Sequence, residues 1–193
     1  MFNKILVAID HSTMSRKVFK AGLSLAKATG ASLMLLHVLS SSAKDYPAPF
    51  IYYGLEYNPS AAPILEVYQE QLQTWKQEGQ KFLSKLAEEA KQAGVKTEFR
   101  QAWGEPESYI CDLATFWSAE LIIVGSRGLT GVKEMFLGSV SNYVTHHAPC
   151  SVLIVRSDAH LNFQSSTSNF SSTLKPFPQS STTVSSIIQR KEL

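Results

Sequence analysis

ILVAID, at residues 5–10, is the stretch of this sequence that decides the fold. Its first five residues form an unbroken apolar run, which is typical of a strand buried on both faces of a parallel sheet. After Asp10 the apolar residues take helical spacing, with Ser12 as the expected N-cap and Gly30 as the stop. A second apolar strand, residues 32–39, follows directly. The sequence therefore predicts a right-handed strand–helix–strand unit with parallel strands.

The same alternation of helical and strand patterns continues to about residue 157. A long polar helix is expected at residues 64–93, with Leu65 at the start of its buried stripe. Further strands are expected at residues 95–102, 121–124 and 151–156, and further helices from Pro106 and over residues 139–147. This order predicts an α/β fold: a single doubly wound, mainly parallel five-stranded sheet with helices on both faces, as in Rossmann-like proteins.

Two segments differ in composition from the domain expected at residues 1–157. Residues 40–63 are rich in Ser, Pro and Tyr, which is typical of an irregular insertion. Residues 158–193 are dominated by Ser and Thr and carry little charge. They cannot bury enough apolar area to offset the entropy of ordering, so we expect a mostly disordered tail.

The bulk composition narrows the class of partner. The 18 basic and 16 acidic residues leave a net charge of only +2, too even a balance to favour nucleic acid or an anionic membrane. No apolar stretch approaches the length of a membrane span. Cys111 and Cys150 lack metal-ligand spacing and fit reduced packing residues in a cytoplasmic protein. Small molecules, or an unidentified protein partner, are therefore the expected ligands.

A glycine-rich loop follows the predicted strand at residues 121–124. It reads GSRGLTGVKEMFLGSVS over residues 125–141 and leads into the next helix. Glycines let the backbone approach a ligand closely, and the first amides of a helix have no internal partner and attract anions. The loop therefore favours a phosphate site, although a long turn with Ser139 as an ordinary N-cap would fit the same residues. Asp10, at another strand end, is either a helix-start carboxylate or a ligand of Mg²⁺.

The spacing within this loop resembles a known family. Gly125, Gly128, Gly138 and Ser139 fit the G-x2-G-x9-G-(S/T) signature of ATP-binding universal stress proteins. The opening ILVAID, the LLHV of the second strand and the closing HHAPCSVLIVR extend the resemblance over residues 3–156. It implies an adenine nucleotide alpha hydrolase-like fold, a role in the stress response, and bound ATP with Mg²⁺, with AMP, ADP or a cyclic dinucleotide as other candidate ligands. It also implies a homodimer paired through residues 151–156.

The resemblance further implies a role for individual residues. Asp10 would lie near the ribose, phosphates and Mg²⁺, and the backbone of Val38 would hold the adenine edge. The implied nucleotide-binding residues are Ala8, Ile9, Asp10, Ser12, Val38, Val124, Gly125, Arg127, Gly128, Gly138, Ser139, Val140 and Ser141. The chain departs from the family pattern at HSTMS after Asp10, where His11 is expected to reshape the nucleotide entrance. His37, inside the second strand, is interpreted as a satisfied core imidazole.

Three functions remain open from the sequence. The first is a cytoplasmic ATP-binding stress sensor or regulator with at most slow ATP hydrolysis. The second is a genuine but slow ATPase, although the loop lacks the GK(S/T) ending of a P-loop and has no evident water-activating carboxylate nearby. The third is an interaction module gated by AMP or a cyclic dinucleotide.

Overall fold

The computed structural model of the chain describes residues 1–43, 45–47, 62–126 and 137–156, without the side chains of residues 62–64. In chain order the elements are β1 (Lys4–Ala8), α1 (Ser15–Thr29), β2 (Ser32–Leu39), α2 (Ala62–Gln92), β3 (Thr97–Trp103), α3 (Pro106–Trp117), β4 (Leu121–Gly125), α4 (Ser139–His147) and β5 (Ser151–Val155). Most of the predicted insertion and the whole predicted tail lie outside the described residues, so those two assignments stay predictions. Among the described residues, no helix combines the length and apolarity that a membrane crossing requires.

The five strands form one parallel sheet in the order β3-β2-β1-β4-β5. β1 lies at the centre, where Val7 is in register with Leu35 of β2 on one side and Ile123 of β4 on the other. The chain therefore winds outward from β1 in both directions, which confirms the predicted doubly wound α/β fold. The crevice beyond the carboxyl ends of β1 and β4 is the switch point of this topology.

The core consists of two apolar clusters, one on each face of the sheet. The first packs α1 and α2 against Ile5 and Val7, and the second packs α3 and α4 against Leu6. All three of these β1 residues are fully buried. This two-sided burial explains why β1 is an unbroken apolar run rather than an alternating one.

The structure corrects the predicted start of α1. The helix begins at Ser15 with Met14 in the N-cap position and no side-chain capping bond, so Ser12 is not its N-cap. The reason is that the Ser12 hydroxyl donates to the Asp10 carboxylate instead of accepting from the helix. The predicted stop is confirmed, because Gly30 ends the helix in the left-handed conformation with φ of 74°.

The structure also corrects the predicted buried stripe of α2. Leu65 is 44% exposed, whereas Trp75 and Leu86 further along are buried. A helix of 31 residues is about 46 Å long, while a strand of eight residues spans only about 26 Å. The helix therefore extends beyond the sheet that it covers, and its amino-terminal turns have less apolar surface to bury against.

Candidate functional site

A cleft of about 230 Å³ opens beyond the carboxyl ends of β1, β2 and β4. Ten of the residues that the sequence assigned to nucleotide binding line it: Ala8, Ile9, Asp10, Val38, Val124, Gly125, Gly138, Ser139, Val140 and Ser141. Ser12 contacts Asp10 rather than contributing to the lining. Arg127 and Gly128 lie outside the described residues.

The start of α4 forms one end of the cleft. The first hydrogen bond inside this helix runs from the Asn142 N–H to the Gly138 carbonyl at 2.9 Å, so the N–H groups of residues 139–141 have no acceptor within the helix. The Ser141 hydroxyl donates to the Gly138 carbonyl at 3.0 Å, so this end offers a ligand its main-chain N–H groups and the exposed Ser139 side chain. No acidic residue occupies the first turn. Unpaired amides and the helix dipole make this end suitable for a phosphate group.

This end is tied to the sheet by main-chain bonds. The Gly138 N–H donates to the Ser126 carbonyl at 2.8 Å, and the Ser126 N–H donates to the Val155 carbonyl of β5 at 2.8 Å. These two bonds hold the amino end of α4 beside the carboxyl ends of β4 and β5.

Asp10 lies in the middle of the cleft, and one of its two carboxylate oxygens already accepts hydrogen bonds. Its Oδ1 accepts from the Ser12 N–H at 3.1 Å and from the Ser12 hydroxyl, and the Ser15 hydroxyl lies 2.8 Å away, where its one proton is shared between this oxygen and the Asp10 carbonyl. Its Oδ2 has no hydrogen-bond partner among the described residues. The carboxylate is thus oriented by its neighbours and keeps one oxygen for a ligand.

That free oxygen suits the Mg²⁺ that the family resemblance implies. Mg²⁺ bound with a nucleotide commonly takes one or two protein carboxylates together with phosphate oxygens and waters. In the part of the chain that the structure describes, no group of three His, Cys, Asp or Glu side chains could hold a metal by itself. Asp10 could therefore contribute to a metal site that phosphate completes.

The other end of the cleft contains two histidines and Asp45. The His11 Nδ1 lies 3.0 Å from the Asp45 Oδ2, and the Trp75 indole N–H donates to the same oxygen at 3.1 Å. The His11 ring stacks on the His37 ring with 4.6 Å between centroids. Asp45 therefore links the loop after β1 to α2 at this end.

The prediction that His37 is a satisfied core imidazole is right about its burial and wrong about its hydrogen bonding. The residue is buried, but its Nδ1 has no hydrogen-bond partner among the described residues. Gly79 of α2 explains the arrangement, because a Cβ at this position would lie 3.0 Å from that nitrogen and 2.2 Å from the Gln101 Nε2. The ring therefore faces bare helix backbone instead of an acceptor. Burial, followed by the neighbouring His11, lowers the pKa of His37 to about 4.

This lowered pKa predicts an acid-dependent loss of stability. In the unfolded chain His37 would titrate near its ordinary value of 6.5, so between pH 6.5 and 4 the unfolded state binds a proton that the folded state does not. The free energy of unfolding should fall by about 3 kcal/mol over this window through His37 alone. Urea unfolding of His37→Asn across the window should show a shallower fall than the unaltered protein. His146→Asn, which alters an exposed histidine, should keep the full slope, and equal slopes for all three proteins would contradict the assignment.

Sequence reasoning missed Asp45 and Trp75 as cleft residues. Asp45 belongs to residues 40–63, whose composition predicted only an irregular insertion, and Trp75 belongs to a helical stripe that predicted only core packing. The one signal was His11, the departure from the family pattern, and its acidic partner is evident only after folding.

Comparison with known proteins relates this geometry to a family. Residues 1–156 match the model of the universal stress protein family. Over 156 residues the chain is 43% identical to universal stress protein YxiE of Bacillus subtilis, covering 81% of this chain and 100% of that protein. Over 155 residues it is 34% identical to universal stress protein Sll1388 of Synechocystis, covering 80% of this chain and 98% of the relative.

Solved structures share the fold. Hypothetical protein MJ0577 aligns with a TM-score of 0.65 and 24% identity, over 81% of this chain and 96% of its own. A universal stress protein in complex with cAMP aligns with a TM-score of 0.51 and 25% identity, over 80% of this chain and 97% of its own. A family member from Arabidopsis thaliana with AMP bound has a TM-score of 0.51 and 21% identity, over 80% and 91% of the two chains.

Proposed function

Because this chain belongs to the universal stress protein family, we propose that it binds ATP and acts in the cytoplasm as a nucleotide-dependent sensor or regulator of the stress response. One observation carries the proposal: Asp10, Val38 and the amino end of α4 line the same cleft. The universal stress protein solved in complex with cAMP supports an adenine nucleotide as the class of ligand.

The proposed binding mode follows the order of the strands. The N–H groups of residues 139–141 would bind phosphate, together with the main chain of Gly125, Arg127 and Gly128. Asp10 would face the ribose and the Mg²⁺, which would neutralise phosphate charge when bound. The main chain of Val38 would hold the adenine edge. Ala8, Ile9 and Val124 would supply the apolar floor beneath the ligand.

A sensor is favoured over an efficient enzyme because the described residues place no evident catalytic base beside the phosphate site. Among the described residues, the carboxylates that line the cleft are Asp10, whose free oxygen is proposed to face Mg²⁺, and Asp45, which lies with His11 and His37 at the other end of the cleft. The loop also lacks the lysine that ends a P-loop. Any ATP hydrolysis should therefore be slow, and phosphate release that disappears in Asp10→Ala would support the ATPase alternative instead.

Thermal unfolding tests the proposal directly. At a ligand concentration of 100 times Kd, binding adds about 2.7 kcal/mol, which corresponds to a rise in Tm of roughly 5–10 °C for a chain of this size. We expect this rise with MgATP. A flat Tm with every adenine nucleotide tried would contradict nucleotide binding. A larger rise with AMP or a cyclic dinucleotide than with ATP would favour the gated interaction module, and mass spectrometry of co-purified small molecules would identify the natural occupant.

We also propose that the protein forms a homodimer through residues 151–156. Among the described residues β5 is an edge strand, and Leu153 on it is 40% exposed, so pairing with a second copy would cover an apolar edge. Leu153→Lys should convert the dimer to a monomer in analytical ultracentrifugation. Phe99→Lys is the matched control, because Phe99 is 43% exposed on β3, the opposite edge strand. If both variants sediment like the unaltered protein, β5 is not the dimer contact.

A further inference from the structure

Asp45 presents a carboxylate that is fixed on one side and free on the other. Its Oδ2 receives the His11 Nδ1 at 3.0 Å and the Trp75 Nε1–H at 3.1 Å. A carboxylate can only accept and an indole can only donate, so Nδ1 is the protonated nitrogen of His11 in this bond. The Asp45 Oδ1 has no hydrogen-bond partner among the described residues, and Asp45 lines the cleft. Two anchored donors thus hold an acceptor ready for a ligand.

The two anchoring residues are themselves held in place. Trp75 is buried in α2, and its ring meets Tyr46 edge-on with 5.6 Å between centroids. His11 packs between the His37 ring and the edge of Phe82, at 4.6 Å and 5.8 Å between centroids. The carboxylate therefore has little freedom to turn, which lowers the entropic cost of ordering it when a ligand binds.

Strand order places Asp45 at the end of the cleft farthest from the phosphate site. The amino end of α4 follows β4, and Asp10 follows β1. Asp45 lies beyond the end of β2 and is held by Trp75 of α2, a helix that packs on β2 and β3, so it lies on the side of Asp10 away from β4. Neighbouring strands lie about 4.8 Å apart, so the two ends are about 10 Å apart along the carboxyl edge of the sheet. A nucleotide with its phosphate at α4 therefore has its base at the Asp45 end. A carboxylate suits that end, since beside phosphate it would repel the ligand.

We propose that Asp45 is the residue that selects the nucleobase, by accepting a hydrogen bond from the exocyclic amino group of adenine. This inference rests on the proposed nucleotide function and adds base selection by a side chain to the backbone contact at Val38. The amino group is the hydrogen-bond donor on the adenine edge. Hypoxanthine has a carbonyl oxygen at the same position, which would face the Oδ1 as acceptor against acceptor. His11 and Trp75 act as positioning residues.

Asp45→Asn should reverse this selection. The amide carbonyl must stay where the Oδ2 was, because His11 and Trp75 both donate there, so the amide NH₂ takes the place of the Oδ1. The variant then offers a donor where the unaltered protein offers an acceptor. A hydrogen bond to a charged group contributes about 1.5–3 kcal/mol, so AMP should bind roughly 10- to 100-fold more weakly. Inosine 5′-monophosphate should bind more tightly to the variant than to the unaltered protein.

The experiment measures Kd by calorimetry for AMP, purine riboside 5′-monophosphate, inosine 5′-monophosphate and 2′-deoxy-AMP. Purine riboside lacks only the amino group, so the unaltered protein should bind AMP at least tenfold more tightly than it. Asp45→Asn should erase that ratio while leaving the affinity for purine riboside 5′-monophosphate unchanged. Trp75→Phe removes one of the two donors that hold the carboxylate. It should lower the ratio of the two affinities by a smaller factor than Asp45→Asn does. Asp112→Asn, the same charge change on an exposed face of α3, should leave it unchanged.

Different failures have different meanings. Equal affinity of the unaltered protein for AMP and purine riboside 5′-monophosphate would overturn base selection by Asp45 and leave nucleotide binding intact. The same conclusion would follow if Asp45→Asn weakened both ligands equally, or if its effect depended on the 2′-hydroxyl rather than on the amino group. If the unaltered protein bound none of the four ligands and no ATP, the proposed function itself would fail, and base selection with it. The comparison of ligands on the unaltered protein remains decisive even if the variants fold poorly.

Discussion

Ser139→Asp is expected to abolish nucleotide binding while making the free protein slightly more stable. Ser139 is the exposed first residue of α4, and the first turn of this helix has no acidic side chain. A carboxylate there would interact favourably with the helix dipole and add about 0.5 kcal/mol to the free energy of unfolding. The same carboxylate would repel a bound phosphate. At 4 Å and an effective dielectric constant of 20, the repulsion is about 4 kcal/mol, or roughly a 1,000-fold weaker Kd.

Opposite effects on stability and binding are what make this variant informative. A substitution that merely damaged the fold would lower both. Asn142→Asp is the matched control, since it introduces the same charge in the same helix at an exposed residue that is absent from the cleft lining. It should lower the MgATP-dependent rise in Tm much less than Ser139→Asp does, because its charge lies one helical turn farther from the phosphate site. If Ser139→Asp kept the affinity of the unaltered protein, phosphate would not bind at the amino end of α4.

Phe19→Ala is expected to produce the largest loss of stability among these substitutions. Phe19 lies on α1 in the first core cluster and is fully buried. Truncating a buried phenylalanine to alanine removes transfer free energy and leaves a cavity, which together cost about 3–5 kcal/mol. Urea unfolding should show this as a lower midpoint with little change in the m-value.

The control for this substitution is Phe116→Ala. Phe116 lies on α3 and is 79% exposed, so the same chemical change should alter the free energy of unfolding by no more than about 0.5 kcal/mol. A loss below about 1 kcal/mol for Phe19→Ala would mean that the first cluster repacks around the missing ring. Comparable losses for the two variants would contradict the burial assigned to them.

The sequence predicts the fold well because the patterns that indicate each element lie within that element, and because strands buried on both faces are unbroken apolar runs. Ile5, Leu6 and Val7 read as a buried strand, since both faces of β1 are covered by helices. Gly30 predicts the end of α1 because the left-handed conformation there suits a residue without a side chain. Ten of the assigned site residues share a cleft for a similar reason: parallel strands end at one edge of a sheet.

The errors arise where a side chain's contacts depend on residues far away in the sequence or on a choice between two hydrogen-bond partners. Ser12 has the composition of an N-cap, but the Asp10 carboxylate takes its hydroxyl, and no local pattern tells which acceptor prevails. Leu65 follows the helical stripe, but the length of α2 relative to the sheet leaves it exposed. Asp45 becomes a cleft residue only through His11 and Trp75, which belong to other elements. Such contacts depend on the assembled fold.

The cleft draws its walls from both sides of the sheet. Met14 and Val18 belong to the first core cluster, and Ile110 belongs to the second, yet all three line the cleft. A molecule bound there would contact both apolar clusters, which the sheet otherwise separates. Local unfolding of either cluster would remove one wall of the cleft and release the bound molecule. Occupancy of the cleft would therefore report on the integrity of both halves of the protein at once.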